Sequence, residues 1–373
     1  MHAHSDGSPS ERKLMARKSS RSTSFDVAAL AGVSQSVVSR AFTPGSRIAD
    51  DTRTKVLEAA LKLNYVPNSI ASSLTTKRTN IVALIIGNLD NPFYVHVLHM
   101  FSRRLQEQGR QVLIFTVEPN SESDEAIMHL LKYQVDGVVL TAAQLSTRMI
   151  SLCHDRGIPI VLFNRYIPGS DASGVRCDNV AGGALIAEAF LAAGAQNFAL
   201  ITGDLKGTTS GDRVRGFVER LLDGGVKRSQ IVEVHGHSSY EGAFNATIKL
   251  IRDTSRVRPD ALFGVNDIMA MGAIDALRHR LGLRVPEDLM VGGFDDIPEG
   301  RRLPYQLTTV RQPIEQMVDE TLSILHLDDP TEPIPRGIDR PIKGRLIWRH
   351  TIPVPPAYRG EAEAGKTEDQ DEK

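Results

Sequence analysis

From Ile81 to Phe294 the chain repeats one pattern: a short, almost wholly apolar run, then an amphipathic stretch of helical length. The apolar runs are Ile81–Ile86, Val112–Val117, Gly137–Leu140, Pro159–Phe163, Phe198–Thr202, Ala261–Val265 and Met290–Phe294. Stretches such as Tyr94–Gln108, Val180–Ala193 and Asp267–Leu281 lie between them. Strands with little polar alternation are buried on both faces, and their alternation with helices marks parallel sheets covered on each side. Ile81 opens a stretch of more than about 250 residues, which predicts two doubly wound lobes rather than one. Ligands of such sheets lodge beyond the carboxyl ends of the strands, so the loops after the strands are the places to search.

Before Ile81 the period is helical. In Thr23–Arg40, Ser24 is placed to cap a first helix, Gly32 to make a tight turn and Ser34 to cap a second helix. Val27, Ala28, Ala31, Val33 and Val38 are small enough to let two short helices cross closely. A third helix is expected from about Asp50, with Val56, Ala59 and Leu63 as its buried stripe, Asp50 and Asp51 at its positive end, and Pro67 as its stop. The second helix points Gln35, Ser36, Ser39 and Arg40 outward. These donors and acceptors suit base edges and phosphates in a major groove. A helix–turn–helix alone is also common in ordinary helical domains.

Charge separates the same regions. The whole chain carries 44 basic and 45 acidic residues, but residues 1–80 hold twelve Lys/Arg against six Asp/Glu, and residues 357–373 hold three against six. A basic end on a mildly acidic body implies a polyanionic partner at that end only. Residues 65–77 are small and polar with one prominent Leu74, too polar for a stable isolated helix. They read either as a simple linker or as a segment that folds on DNA, with Leu74 wedged between base steps.

The residues Phe25-Asp26-Val27-Ala28, Ala31-Gly32-Val33-Ser34 and Val38-Ser39-Arg40, then Thr52–Val56, Leu63–Asn68, Ala71 and Leu74, together resemble the lactose-repressor (LacI/GalR) family. The resemblance covers residues 23 to about 355 and is most specific over 23–77. It implies an all-α helix-turn-helix DNA-binding domain plus an α/β periplasmic-binding-protein-like core of two doubly wound parallel-sheet lobes with three crossovers. Domains are expected at 23–66 (DNA-binding), 67–78 (hinge) and 79–355 (effector binding and dimerisation), between unstructured tails at 1–22 and 356–373. It further implies a homodimer on double-stranded, near-palindromic operator DNA, whose affinity a small effector controls. By matching position, Gln35, Ser36 and Arg40 would read bases, Ser34 and Asn68 would hold phosphates, and Ala71 and Leu74 would enter the minor groove. The pair Gln35-Ser36 departs from the best-known members, so their operator sequence does not transfer.

In the body the matching loops contain Asn91-Pro92-Phe93-Tyr94, Asn164-Arg165, Asp212-Arg213, Asn266-Asp267 and Asp295-Asp296. The resemblance assigns effector contacts to Phe93, Tyr94, Thr209, Arg213 and Asp295, and loop position adds Asn164, Arg165 and Asn266. Arg213 with Asp295 would clamp hydroxyls or a carboxylate; the plainer reading of Arg213 is a structural ion pair. Asp178, Asp267 and Asp296 read as caps of the helices after them. Gly207 replaces the arginine of the purine-binding members, leaving a sugar, sugar acid or related metabolite.

Other classes find little support. The chain has no GxGxxG after a strand, no GxxxxGK[ST], no HExxH and no GxSxG, so no enzyme, catalytic residue or cofactor is expected. His235-Gly236-His237 ends a strand without an acidic or cysteine partner, and Cys153 and Cys177 read as core residues, so no metal is expected. The polar N-terminus lacks the apolar core of a secretory signal, and no run is long enough to span a membrane. A cytoplasmic protein follows. A stand-alone sugar-binding receptor would share the body but lack the module at Ser24–Leu74. The C-terminal tail has no leucine heptads, which favours a dimer over a tetramer.

Overall fold

The computed structural model describes residues 22–43, 45–67, 78–117, 124–141, 145–204, 207–253, 257–327, 333–360 and 362. Two compact units form, Met1–Thr79 and Asn80–Lys373.

The first contains α1 (Ser24–Ala31), α2 (Gln35–Phe42) and α3 (Asp50–Lys62). The cap of α1 is Thr23, not Ser24: its hydroxyl accepts from the Asp26 N–H, while the Asp26 carboxylate accepts from the Thr23 N–H at 2.8 Å. Only Thr23 has an acid three residues on, which the reciprocal capping box requires. Gly32 closes α1 at φ 66°, in the left-handed region where a Cβ is costly. The core is Val27, Val38 and Val56 with four alanines, and Ala31, Val33 and Leu63 pack around it half-buried. Arg53 staples the turn after α2, donating to the carbonyls of Ala41 (2.8 Å) and Ser46 (3.1 Å). Helix α3 stops at Lys62, five residues before Pro67, because Asn64 turns left-handed at φ 47°.

The second unit runs β1 (Ile81–Ile86), α4 (Pro92–Glu107), β2 (Gln111–Thr116), α5 (Asp124–Leu130), β3 (Gly137–Leu140), α6 (Thr147–Asp155), β4 (Ile160–Phe163) and β5 (Ser173–Cys177). It continues α7 (Asn179–Ala192), β6 (Phe198–Thr202), α8 (Thr208–Asp223), β7 (Ile231–His235), α9 (Tyr240–Arg252), β8 (Ala261–Gly264), α10 (Asp267–Asp275), β9 (Met290–Asp295) and α11 (Pro298–Arg301). Last come β10 (Thr308–Arg311), α12 (Ile314–Leu325), β11 (Asp339–Ile342) and β12 (Arg345–Ile347). The strands form two six-stranded sheets, ordered β11-β5-β4-β3-β1-β2 and β12-β10-β9-β8-β6-β7. Every pairing is parallel except β10 with β12. The chain passes between the lobes three times: after β5, between β10 and α12, and between β11 and β12.

All seven apolar runs are strands. The exposed β11 and the three-residue β12 have no such run because an exposed or very short strand needs no continuous apolar sequence, whereas β5 and β10 are mostly buried but interrupted by Ser173 and Arg176 and by Thr308, Thr309 and Arg311. Helix α10 gives way at Ala276 to a π-helical turn through Arg280, where one helix to Leu281 was expected. The start of the C-terminal tail is fastened rather than loose. Pro356–Tyr358 form a 3₁₀ turn, the Tyr358 ring lies 5.4 Å from that of Trp348, and Ala362 is buried.

Two glycines set the position of α8. A Cβ at Gly183 would meet the Arg213 carbonyl oxygen at 2.2 Å, and one at Gly216 would meet that of Val180 at 1.9 Å. Helices α7 and α8 therefore touch backbone to backbone, which brings Arg213 against Asn179.

Candidate DNA-reading helix and inter-lobe site

Helix α2 exposes Gln35, Ser36, Ser39 and Arg40 while burying Val38 and Ala41. Ser34 occupies the cap position, but its hydroxyl pairs with that of Ser36 at 2.9 Å and caps no backbone N–H. The Gln35 carboxamide donates to the Ser24 hydroxyl at 3.0 Å, and Arg40 Nε reaches back to the Ser36 carbonyl at 3.4 Å, a long contact. Asn68, Ala71 and Leu74 lie outside the described residues.

In the body the segments after β1, β4 and β6 and the end of β9 bring Phe93, Tyr94, Asn164, Arg165, Thr209, Arg213 and Asp295 to one place. Arg213 and Asp295 are 4% and 3% exposed and pair at 3.1 Å. Arg213 Nε donates to Asn179 Oδ1 (2.9 Å) and Nη1 to the Val265 carbonyl (2.7 Å), and the guanidinium lies 3.6 Å over the Phe294 ring. The ion pair, the plainer reading of Arg213, is thus present, and it lies at the strand ends where a ligand of this fold would lodge. Asp295 sits at φ 126° and Asn164 at φ 59°, backbone conformations that non-glycine residues seldom adopt and that gather at functional sites. Burial pushes the Asp295 carboxyl above its usual range, against the pull of Arg213, Gln312 and Asn91.

The lobes meet across this site. Thr209 Oγ1 donates to the Asn164 carbonyl at 2.7 Å, and the Thr208 hydroxyl to that of Tyr166 at 3.4 Å. The Phe93 ring is buried edge-on against Tyr94, 5.2 Å between centroids. Burial raises the Tyr94 phenol and lowers the Arg165 guanidinium, and the two groups lie within electrostatic reach of each other. Two residues outside the expected set of effector contacts hold Asp295 here. Gln312 donates to Asp295 Oδ1 at 2.7 Å, and Asn91 hydrogen-bonds Asp295 besides capping α4. Gln312 follows β10, and the rule of carboxyl ends would have found it had that strand been legible. Among the described residues, the buried amide oxygens Asn164 Oδ1 and Gln312 Oε1 have no hydrogen-bond partner.

The carboxylates expected as caps divide. Asp178 does cap α7, accepting from the Ala181 N–H at 3.0 Å. Asp267 does not: Asn266 caps α10, and the buried Asp267 accepts from Thr309 Oγ1 (2.5 Å) and the Ile297 N–H (2.9 Å). Burial, with Asp295 and Asp296 adding repulsion, pushes its carboxyl up to about 7. Asp296 caps nothing either. It is a buried hub for Arg311 (2.5 Å), Arg349 (2.7 Å) and Arg301 (3.2 Å).

His235 and His237 stack with centroids 4.4 Å apart, and no group of three metal-ligating side chains occurs among the described residues. Burial pushes the Cys153 and Cys177 thiols up to about 11 and about 12. No helix among the described residues is long and apolar enough to cross a membrane.

A three-helix unit with a polar recognition face, in one chain with a two-lobed body whose strand ends converge on buried polar groups, defines the class of ligand-responsive DNA-binding regulators. The profile of bacterial regulatory proteins of the lacI family matches residues 25–68, and that of the periplasmic binding protein-like domain matches residues 187–352. The HTH-type transcriptional regulator DegA of Bacillus subtilis is 34% identical over 301 residues, 80% of this chain and 88% of that protein. CelR of Thermobifida fusca is 31% identical over 306 residues, 80% and 89% of the two chains. The lac repressor dimer bound to operator and the anti-inducer ONPF superposes with a TM-score of 0.79 at 25% identity, covering 89% of this chain and 99% of the other. The chain belongs to the lacI family and is a DNA-binding transcriptional regulator.

Proposed function

We propose that the protein is a repressor that binds operator DNA as a homodimer and is controlled by a sugar or sugar acid held between the two lobes. Gln35, Ser36 and Arg40 read bases; Ser34 and Asn68 hold phosphates; Ala71 and Leu74, in a hinge over residues 67–78, enter the minor groove. Phe93, Tyr94, Asn164, Arg165, Thr209, Arg213, Asn266 and Asp295 form the effector site. The protein works by binding, without catalysis, in the cytoplasm.

The observation that carries the effector class is the pair of orphan amide oxygens on Asn164 and Gln312. A buried carbonyl without a donor is costly, and a hydroxyl-rich ligand supplies donors. The solved CelR–cellobiose complex, 28% identical to this chain, and the ribose operon repressor of Haemophilus influenzae, 29% identical, support the same class. Gly207 contributes no side chain to the cleft, and a Cβ there would be in ordinary contact with the Asp204 carbonyl, so nothing local demands glycine. A thermal-shift screen of sugars and sugar acids tests the reading. A ligand at a hundredfold excess over its Kd stabilises by about 2.7 kcal/mol. That stabilisation should appear for a polyhydroxylated compound and be lost in Asn164→Leu. Stabilisation by apolar metabolites alone would overturn it.

A further inference from the structure

The Ser24–Gln35 contact has a consequence for base recognition. Ser24 is not spent on capping, because Thr23 and Asp26 close that end of α1 between them. Its hydroxyl instead accepts from Gln35 Nε2 at 3.0 Å, across the turn from α1 to α2. Gln35 is the first residue of α2 and is exposed, so without this contact its long side chain would sample many rotamers. A carboxamide has one acceptor oxygen and two N–H groups. When the N–H anti to Oε1 is the one given to Ser24, what remains is Oε1 and the syn N–H, side by side in one plane.

We infer that Ser24 is a positioning residue for base readout, holding the Gln35 carboxamide so that it presents one acceptor and one donor to an adenine. The major-groove edge of adenine offers a donor at N6 beside an acceptor at N7 and matches both groups. Guanine offers two acceptors there and would set O6 against Oε1 or leave the N–H sharing both. Cytosine offers one donor and thymine one acceptor, and each leaves half of the amide unmatched. The inference rests on the reading of α2 as the recognition helix.

The test uses the full-length protein and a pool of randomised DNA duplexes, from which each variant selects its preferred sites at fixed salt. Gln35→Ala identifies the operator position that Gln35 reads, as the one position whose preference disappears. That position should be an A·T pair, preferred by the parent about fivefold to hundredfold. Ser24→Ala should lower the preference there by about fivefold, through restored rotamer freedom, and leave the other positions as they were. Ser24→Thr, which keeps the hydroxyl, should restore it. A G·C pair at the Gln35 position overturns the inference. So does a Ser24→Ala profile identical to the parent's, or a loss spread evenly over all positions, which is what a purely structural role gives. Failure of the underlying reading looks different: the parent selects no common sequence, or Gln35→Ala changes no position.

Discussion

The three-helix unit and the two-lobed body treat polar groups in opposite ways. Among its described residues the three-helix unit buries no charged side chain; its interior is valine and alanine, and its polar side chains, those of α2 included, lie at the surface. The body buries Arg213, Asp267, Asp295, Asp296 and Arg349 and satisfies most of their hydrogen-bonding capacity internally. The first unit offers its chemistry to a partner that approaches from outside and brings its own charge. The second holds its chemistry inside, so a ligand must replace or join contacts that the lobes already make, such as Thr209 with Asn164. DNA recognition should therefore be governed by salt and base sequence, and effector recognition by how the lobes close.

The sharpest way to break this comparison is at Asp296. Removing the carboxylate leaves Arg301, Arg311 and Arg349 without their shared anion in the interior. Asp296→Ala should destabilise the body by about 3–5 kcal/mol in denaturant unfolding, as stranding one side of a buried ion pair does. A loss below 1 kcal/mol would place the three arginines effectively in solvent.

Arg40→Ala comes next. It should cost about 1–3 kcal/mol of operator binding per half-site, concentrated at one base position, if Arg40 forks a guanine. Binding titrations against single-base operator variants measure it, and unchanged selectivity would remove Arg40 from the reading set.

Protonation separates the units more finely. The Asp267 carboxyl is raised in the folded state from 3.8 to about 7, so the native protein holds the proton more tightly than the unfolded chain. Its contribution to stability is therefore full below about 4 and declines as pH rises toward 7, with a slope of at most about 1.4 kcal/mol per pH unit. The parent-minus-Asp267→Asn difference in unfolding free energy should fall across that window. A flat difference would mean that Asp267 is ionised in the fold at every pH tested.

The smallest expected effect is at the cap. Thr23→Ala should cost about 1 kcal/mol of three-helix-unit stability, whereas Ser24→Ala should cost much less. Amide hydrogen exchange in α1 distinguishes them, and equal losses would return the cap to Ser24.

The same contrast explains what could be read from the sequence. The helical spacing, Gly32 and the polar face of α2 announce the DNA-binding unit because its rules are local: caps, turns and one apolar stripe. The central strands of the body were equally plain, since Ile81–Ile86 and Phe198–Thr202 are buried on both faces. Gln312, Asp267 and Asp296 were obscured for a different reason. Their roles depend on partners distant in sequence, Gln312 on Asp295 and Asp267 on Thr309, and no local pattern distinguishes a capping aspartate from a buried hub. A hydroxyl alone does not distinguish Ser24 from Thr23 as the cap; the acid three residues on, Asp26, selects Thr23.

The central claim is that a ligand in the cleft and operator DNA compete for or share one conformational equilibrium of this chain. It is tested most directly by closing the thermodynamic cycle on the unaltered protein. Operator affinity is titrated with and without the sugar found in the screen, and sugar affinity with and without operator. Linkage requires the two ratios to be equal, and a coupling of about 1–3 kcal/mol corresponds to roughly a 5–150-fold change in each. Equal ratios in that range support the account; a sugar that binds with the same affinity whether or not operator is present contradicts it.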